Sequence, residues 1–144
     1  MTIFPIEFGT PEYDEAVALR YEVLRKPLGL EFTTDQLAAE WSDIHLAGFD
    51  PNGKMVAILI LTAIDEQTLK MRQVAVAPHL QGKGLGAQLV HASEALALKR
   101  QYQHMVLHAR ETAVPFYLRL GYQIVGEPFE EVGIPHSKMR KTLL

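Results

Sequence analysis

The segment Gln81-Gly82-Lys83-Gly84-Leu85-Gly86-Ala87 sets three glycines in alternation beside a lysine, just after an apolar run that breaks at Pro78. Glycine removes side chains where a chain turns, so backbone N–H groups can come close to a ligand. A helix starting there leaves its first-turn N–H groups unpaired and concentrates roughly half a positive charge at that end. Together these features capture a phosphate or pyrophosphate, and Lys83 adds a full charge at the rim. Other groups suit proton transfer. A free imidazole titrates near ~6.5, so a histidine can exchange a proton at neutral pH. No two histidines stand i, i+4 on an expected helix and the chain has no cysteine, so no metal site, thiolate nucleophile or disulfide is expected.

Two phosphate-binding patterns fit this loop poorly. The string G-x-x-x-x-G-K-[ST] does not occur. Gly82-x-Gly84-x-x-Ala87 does satisfy the dinucleotide pattern G-x-G-x-x-[GA]. In that fold, however, the first glycine closely follows the strand that opens the domain. Here residues 78–81 intervene, four expected strands come first, and no acidic residue stands about 20 positions on at a strand end.

The elements that must hold the loop alternate along the chain. Residues 2–8 read as a strand, and Thr10-Pro11 supplies a cap and a first-turn proline for a helix to about Arg25. A short helix is expected over 34–41. Runs 44–49 and 55–63 flank Asp50-Pro51-Asn52-Gly53 and predict a β-hairpin. Strand 68–77, helix 86–101 and strand 104–109 form a strand–helix–strand unit with its two strands parallel. Residues 111–120 predict a helix ended by Gly121, and 122–125 and 136–141 predict closing antiparallel strands.

Composition bounds the function. With 144 residues and 48% hydrophobic content, the chain is expected to form one domain, 1–144, around a single core. A net charge of −3 gives no reason to expect nucleic acid as a partner. The first residues lack a basic region followed by an apolar core, and no run approaches the ~18 apolar residues of a membrane span, so the expected location is the cytoplasm, without membrane attachment.

Gln81-Gly82-Lys83-Gly84-Leu85-Gly86 resembles the [QR]-x-x-G-x-[GA] signature of GNAT-type N-acetyltransferases, and Ala113-x-x-Phe116-Tyr117-x-x-x-Gly121-Tyr122 resembles the A-x-x-[FL]-Y-x-x-x-G-[FY] segment of the same family. Both stand in the family's order. The resemblance implies an α/β (α+β) fold: a central mixed, mostly antiparallel sheet of six to seven strands, flanked by about four helices and splayed between strands 4 and 5. It implies acetyl-CoA as co-substrate, with its pyrophosphate on Gln81, Gly82, Lys83, Gly84, Leu85, Gly86 and Ala87. Its pantetheine arm would meet the main chain of Val74, Ala75 and Val76, since parting strands lose backbone partners that an amide-rich arm replaces.

The reaction so implied is direct acyl transfer to a primary amine of a small molecule or peptide. The amine must be neutral, the carbonyl polarised and the departing thiolate protonated or stabilised. Tyr117 matches the family's general acid. The strand-4 glutamate that serves several members as base is absent, so a water relay or another residue must act; His108, Glu111 and His136 could all face the cleft, with His108 or His136 as base or substrate contact. Arg110 stands seven residues before Tyr117, where many members have asparagine. Specificity in the family resides in the first helices and in the last inter-strand connection. Arg20, Arg25 and Lys26 are therefore candidates for an acidic acceptor, and Glu130 and Glu131 for a cationic one, while Arg110 could reach coenzyme phosphate, form a salt bridge near Glu111 or orient an acidic substrate. A non-catalytic acyl-CoA sensor is the alternative reading, and a dinucleotide enzyme a remote one. An exposed last strand could pair across a homodimer.

Overall fold

The computed structural model describes residues 1–144. It divides into two compact units, Met1–Thr62 with Gln73–Ser93, and Ala63–Arg72 with Glu94–Leu144. Strand β4 (Thr68–Val76) and helix α3 (Leu85–Lys99) each contribute residues to both.

In the first unit, β1 (Thr2–Ile6), β2 (Ile44–Phe49) and β3 (Met55–Ala63) pair antiparallel in chain order, with β4 next to β3. The predicted hairpin forms because Asp50 Oδ1 accepts from the N–H groups of Asn52 and Lys54, both at 2.9 Å, and Gly53 takes φ 81°. Helix α1 (Pro11–Arg20) starts where the Thr10 hydroxyl accepts from Tyr13 N. It then widens into a π turn over Tyr21–Arg25 and tightens into a 3₁₀ turn over Lys26–Leu28, and Gly29 at φ 68° stops it. A capping box between Thr33 and Gln36 opens α2 (Thr34–Ala38), and a 3₁₀ turn, Ala39–Ser42, follows. Ile6, Ala16, Ala47, Phe49, Met55, Ile58 and Ala75 form the core, with Leu19, Val23 and Leu24 packed on it.

In the second unit, β4 runs parallel to β5 (His104–Arg110), in register from Thr68↔His104 to Met71↔Leu107. The ladder stops there, and two residues later Gln73 takes φ 56° in the left-handed region. That is where parting of strands 4 and 5 was expected. Strand β8 (Ile134–Thr142) pairs antiparallel with β5 and also with β6 (Gln123–Ile124) and β7 (Phe129–Glu131). Helix α4 (Val114–Arg119) ends in two bonds, Tyr122 N to Tyr117 O and Gly121 N to Leu118 O, with Gly121 at φ 94° and the two tyrosine rings edge to face at 5.8 Å. These are the bonds and apolar contact of a Schellman cap.

The sheet has eight strands, one more than expected. The addition is β7, which turns into β8 through Val132 (φ 48°) and Gly133 (φ 73°), a two-residue connection with both φ positive as a type I′ hairpin needs. Valine masks that turn in the sequence. Strand β8 lies inside the sheet order, so the exposed last strand expected to join a homodimer is corrected: β8 has neighbours on both sides. The doubly wound parallel sheet of a dinucleotide domain is also ruled out, since β1–β2, β2–β3, β5–β8, β6–β8 and β7–β8 all pair antiparallel. No helix is long and apolar enough to cross a membrane.

Candidate functional site

The first unit holds the glycine turn. Strand β4 ends at Val76, and a 3₁₀ turn over Pro78–Leu80 carries the chain to Gln81. The Gln81 side chain reaches back and donates from Nε2 to Val76 O at 3.0 Å, tying the turn to the strand it leaves. One of the main-chain groups expected to meet a pantetheine arm is thus already engaged by the turn's own glutamine. Gly82 and Gly84 take φ 80° and 82°, and a Cβ on either would meet nothing within 4 Å. Their glycines are required by backbone conformation, on an open surface that a ligand can approach. Gln88 N donates to Gly84 O at 3.1 Å, the first bond of α3, which leaves the first-turn N–H groups of Leu85, Gly86 and Ala87 at the end that favours anions. Lys83 is exposed beside them. Ala75 is buried, while Val74 and Val76 are half-buried.

The expected acceptor contacts of the first helices lie elsewhere. Arg20 is fully buried and clamps Glu40 through Nη1–Oε1 at 2.8 Å and Nη2–Oε2 at 2.7 Å. Tyr13 donates to the same carboxylate at 2.8 Å, and His45 Nε2 donates to the Glu40 carbonyl at 3.0 Å. Burial alone would raise the Glu40 carboxyl, but the bonds and charge of Arg20, with Tyr13 and His45, hold it below the ordinary carboxylate value. Burial and Glu40 push the Tyr13 hydroxyl up. Arg20 is therefore corrected from acceptor contact to internal ion pair. The signal was in the spacing, because Tyr13, Ala16 and Arg20 share the buried stripe of α1. Arg25 stacks its guanidinium 4.7 Å from the Phe32 ring, which Arg20 also meets at 4.6 Å.

The second unit brings together three of the predicted residues. His108 Nδ1 lies 3.0 Å from Glu131 Oε1, and His136 Nε2 lies 3.6 Å from Glu131 Oε2. The ionised carboxylate accepts only, so the Nδ1–H of His108 donates, which leaves Nε2 outside this contact. His136 is turned the other way, with Nδ1 donating to Ile134 O at 2.8 Å. Phe129 packs edge-on to His108 at 4.9 Å and stacks on His136 at 6.0 Å. Burial would raise the Glu131 carboxyl, but the hydrogen bond and charge of His108, then His136 and Lys70, hold it below its usual range. Glu130 is exposed on the neighbouring position of β7. Arg110 closes β5 opposite His136. The His, Asp and Glu side chains form no group of three placed to hold a metal ion.

Tyr117 belongs to the same unit. It is buried on α4, edge-on to Phe116 at 4.9 Å, and burial pushes its hydroxyl up to about 12. It therefore stays protonated at neutral pH. Beside it, Tyr122 donates to Glu94 at 2.8 Å, and Lys141 holds Glu94 at 3.0 Å and the Leu120 carbonyl at 2.8 Å. This set locks the helix end that carries Tyr117. Sequence reasoning missed Gln73, whose backbone is left-handed and whose side-chain oxygen is buried without a hydrogen-bond partner; nothing in a strand-like run marks it.

Comparison with known proteins bears on what these parts serve. A family model described as an acetyltransferase (GNAT) domain matches residues 19–143. The UPF0039 protein C11D3.02c of Schizosaccharomyces pombe is 33% identical over 103 residues, which cover 69% of this chain and 67% of that protein. The chain spans about half the length of the Bacillus subtilis relatives it also matches. A crystal structure from Lactobacillus plantarum has a TM-score of 0.85 at 25% identity, with both chains fully covered. A GNAT family acetyltransferase from Elizabethkingia anophelis with acetyl-CoA bound has a TM-score of 0.75 at 21% identity, over 98% of this chain and 97% of that one. The glycine turn, the capped helix of Tyr117 and a domain match over most of the chain agree: this protein belongs to the GNAT acetyltransferase family.

Proposed function

We propose that residues 1–144 act as a single catalytic domain that moves an acetyl group from acetyl-CoA directly to a primary amine of a small molecule or peptide. The turn from Gln81 to Ala87 takes the coenzyme pyrophosphate on amide N–H groups, with Lys83 at its rim. The observation that carries the amine acceptor is His108, whose Nδ1–H is committed to Glu131, so that in its neutral form the ring would take a proton at Nε2. The acceptor enters as an ammonium, gives a proton to His108 Nε2, and attacks the thioester carbonyl as a neutral amine. The tetrahedral intermediate then collapses, the C–S bond breaks with its electron pair on sulfur, and the surplus proton on the new amide nitrogen is lost to water.

By its match to the family's motif, Tyr117 is the residue assigned to that sulfur. With its hydroxyl near 12 and a free thiol titrating at ~8.5, handing the proton over completely runs uphill, so Tyr117 stabilises the departing thiolate chiefly as a hydrogen-bond donor. His136 supports the carboxylate that orients His108. Support also comes from the family and from the acetyl-CoA complex of the Elizabethkingia relative.

The test is release of CoA from saturating acetyl-CoA against a library of primary amines. Turnover is expected with at least one amine, and Tyr117→Phe is expected to lower kcat by about 10²-fold or more while acetyl-CoA affinity is kept. Tight acetyl-CoA binding without turnover of any amine would instead identify a sensor.

A further inference from the structure

Strands β4, β5 and β8 contain Lys70, Arg72, His104, His108, Arg110, His136, Lys138, Arg140 and Lys141, and not one Asp or Glu. In a chain of net charge −3 this is a local reversal of sign. Register places most of that charge on one face of the sheet. Lys70 lies opposite Val106, Val106 opposite Arg140, His108 opposite Lys138, and Arg110 opposite His136. Directly paired residues, and residues two apart along a strand, share a face. The intervening positions Leu69, Met71, Met105, Leu107, Ala109 and Met139 are buried on the other face.

Glu131, brought in by the β7 turn and already bound to His108, meets the basic face. At the far end of β5, Asp65 acts on His104. Lys138 and Arg140 are exposed. Lys70 lies deeper, and its ammonium is held below the ordinary lysine value by burial and by the charges of Arg72 and Lys138, with Glu131 opposing. Arg72 and Arg110 have interactions of their own, so the charge left to be met at this face is that of Lys70, Lys138 and Arg140, which an oxyanion would complement.

We propose that this face binds a carboxylate or phosphate carried by the acceptor, so that the substrate class is amines bearing an anionic group. Lys138 and Arg140 supply the exposed cations, Lys70 the deeper one. This rests on the acetyl-transfer reading, in which the amine meets His108, the register partner of Lys138.

The closing experiment has two arms, both on the full chain. The first measures kcat/KM for CoA release with matched acceptors, β-alanine against propylamine and phosphoethanolamine against ethanolamine. At least tenfold preference for the anionic member of one pair is expected, which pair shows it separates carboxylate from phosphate, and Lys138→Gln with Arg140→Gln should collapse the preference toward unity. Equal use of both members, or preference for the uncharged one, overturns the proposal. The second arm does not depend on turnover: amide NMR shifts on titration with inorganic phosphate and, separately, with acetate. Saturable shifts around Lys70 and Lys138 that vanish in the double variant support the face, and their absence with both anions overturns it. If anion binding is found while no amine is acetylated, the anion site stands and the transfer reading falls.

Discussion

Glu40 and Glu131 look alike as pairs on paper and differ in almost everything that decides what a pair does. Each carboxyl is held below its ordinary value by nearby cationic groups, and each touches a histidine-containing cluster. Glu40 is sealed, with side-chain exposure of 4%, and its main partner is Arg20 at 1%. Glu131 is open at 45%, and its partners are His108 at 27% and His136 at 5%. A guanidinium does not give up its proton at any working pH, whereas an imidazole exchanges one near neutrality. The first pair can therefore only hold structure together. The second can hold a proton acceptor in one tautomer at a surface that solutes reach. Exposure and the titratability of the partner, rather than the presence of a carboxylate, separate structural from chemical use.

The largest effect expected from this contrast is on stability. Glu40→Gln leaves the Arg20 charge buried and uncompensated, and should cost about 3–5 kcal/mol in urea unfolding. Glu131→Gln, at an exposed pair, should cost ~0–1 kcal/mol. Comparable losses at the two positions would remove the distinction. Replacing Arg20 and Glu40 together by methionines should recover most of the loss, because both charges then leave the interior.

Catalysis should rank the other way. Glu131→Gln is expected to lower kcat by about 10- to 100-fold, less than the ~10²–10⁴-fold of a base itself. The KM for acetyl-CoA should hold, and Glu131→Asp should restore part of the rate. A structural role alone would not alter the tautomer, so ¹⁵N NMR of His108 is decisive: Nδ1–H in the wild type and a mixture in Glu131→Gln. The same tautomer in both proteins, with kcat intact, would remove Glu131 from the mechanism. Glu40→Gln, assayed at a temperature where it stays folded, should turn over at nearly the wild-type rate.

Acid should expose the same ranking more gently. Both carboxyls titrate lower in the folded chain than in the unfolded one, where a glutamate titrates near ~4.3. A lowered folded value means that the pairing stabilises fully above the unfolded pKa and is lost as pH falls through the folded one. Unfolding midpoints should therefore hold from pH 7 to about 5 and drop below ~4.3, and Glu40→Gln should flatten that drop more than Glu131→Gln does. A steeper dependence on Glu131 would mean that the open pair carries more folding energy than its exposure allows.

What could be read in advance follows the range of the forces involved. The cap at Thr10, the turn at Asp50-Pro51-Asn52-Gly53, the stop at Gly121 and the glycines before α3 are set by residues within a few positions of each other, and the structure forms each. The Arg20–Glu40 and His108–Glu131 contacts join residues 20 and 23 apart, and nothing local announces them. The charge of Arg20 makes it a candidate acceptor contact, whereas its place on the stripe of Tyr13 and Ala16 marks it as buried. His108 and His136 were recognised as candidates, but their meeting at Glu131 depends on β7, which the sequence hides.

That concealment yields the smallest prediction. A type I′ turn needs positive φ at both central residues and is ordinarily Asn-Gly; here Val132 occupies the first position at φ 48°, where a β-branched side chain is strained. Val132 is 44% exposed, so little packing opposes a change. Val132→Asn should raise stability by about 1 kcal/mol, seen as a higher urea midpoint at constant slope. Turnover is the sharper readout, because the turn holds Glu131 one residue before Val132 and His136 three after Gly133. If kcat is unchanged, the strain is incidental and the His108–Glu131 pair is positioned by β-pairing alone. If kcat falls while stability rises, the strained turn itself sets the reach of Glu131, and the open pair is tuned by its backbone in a way the sealed pair at Glu40 is not.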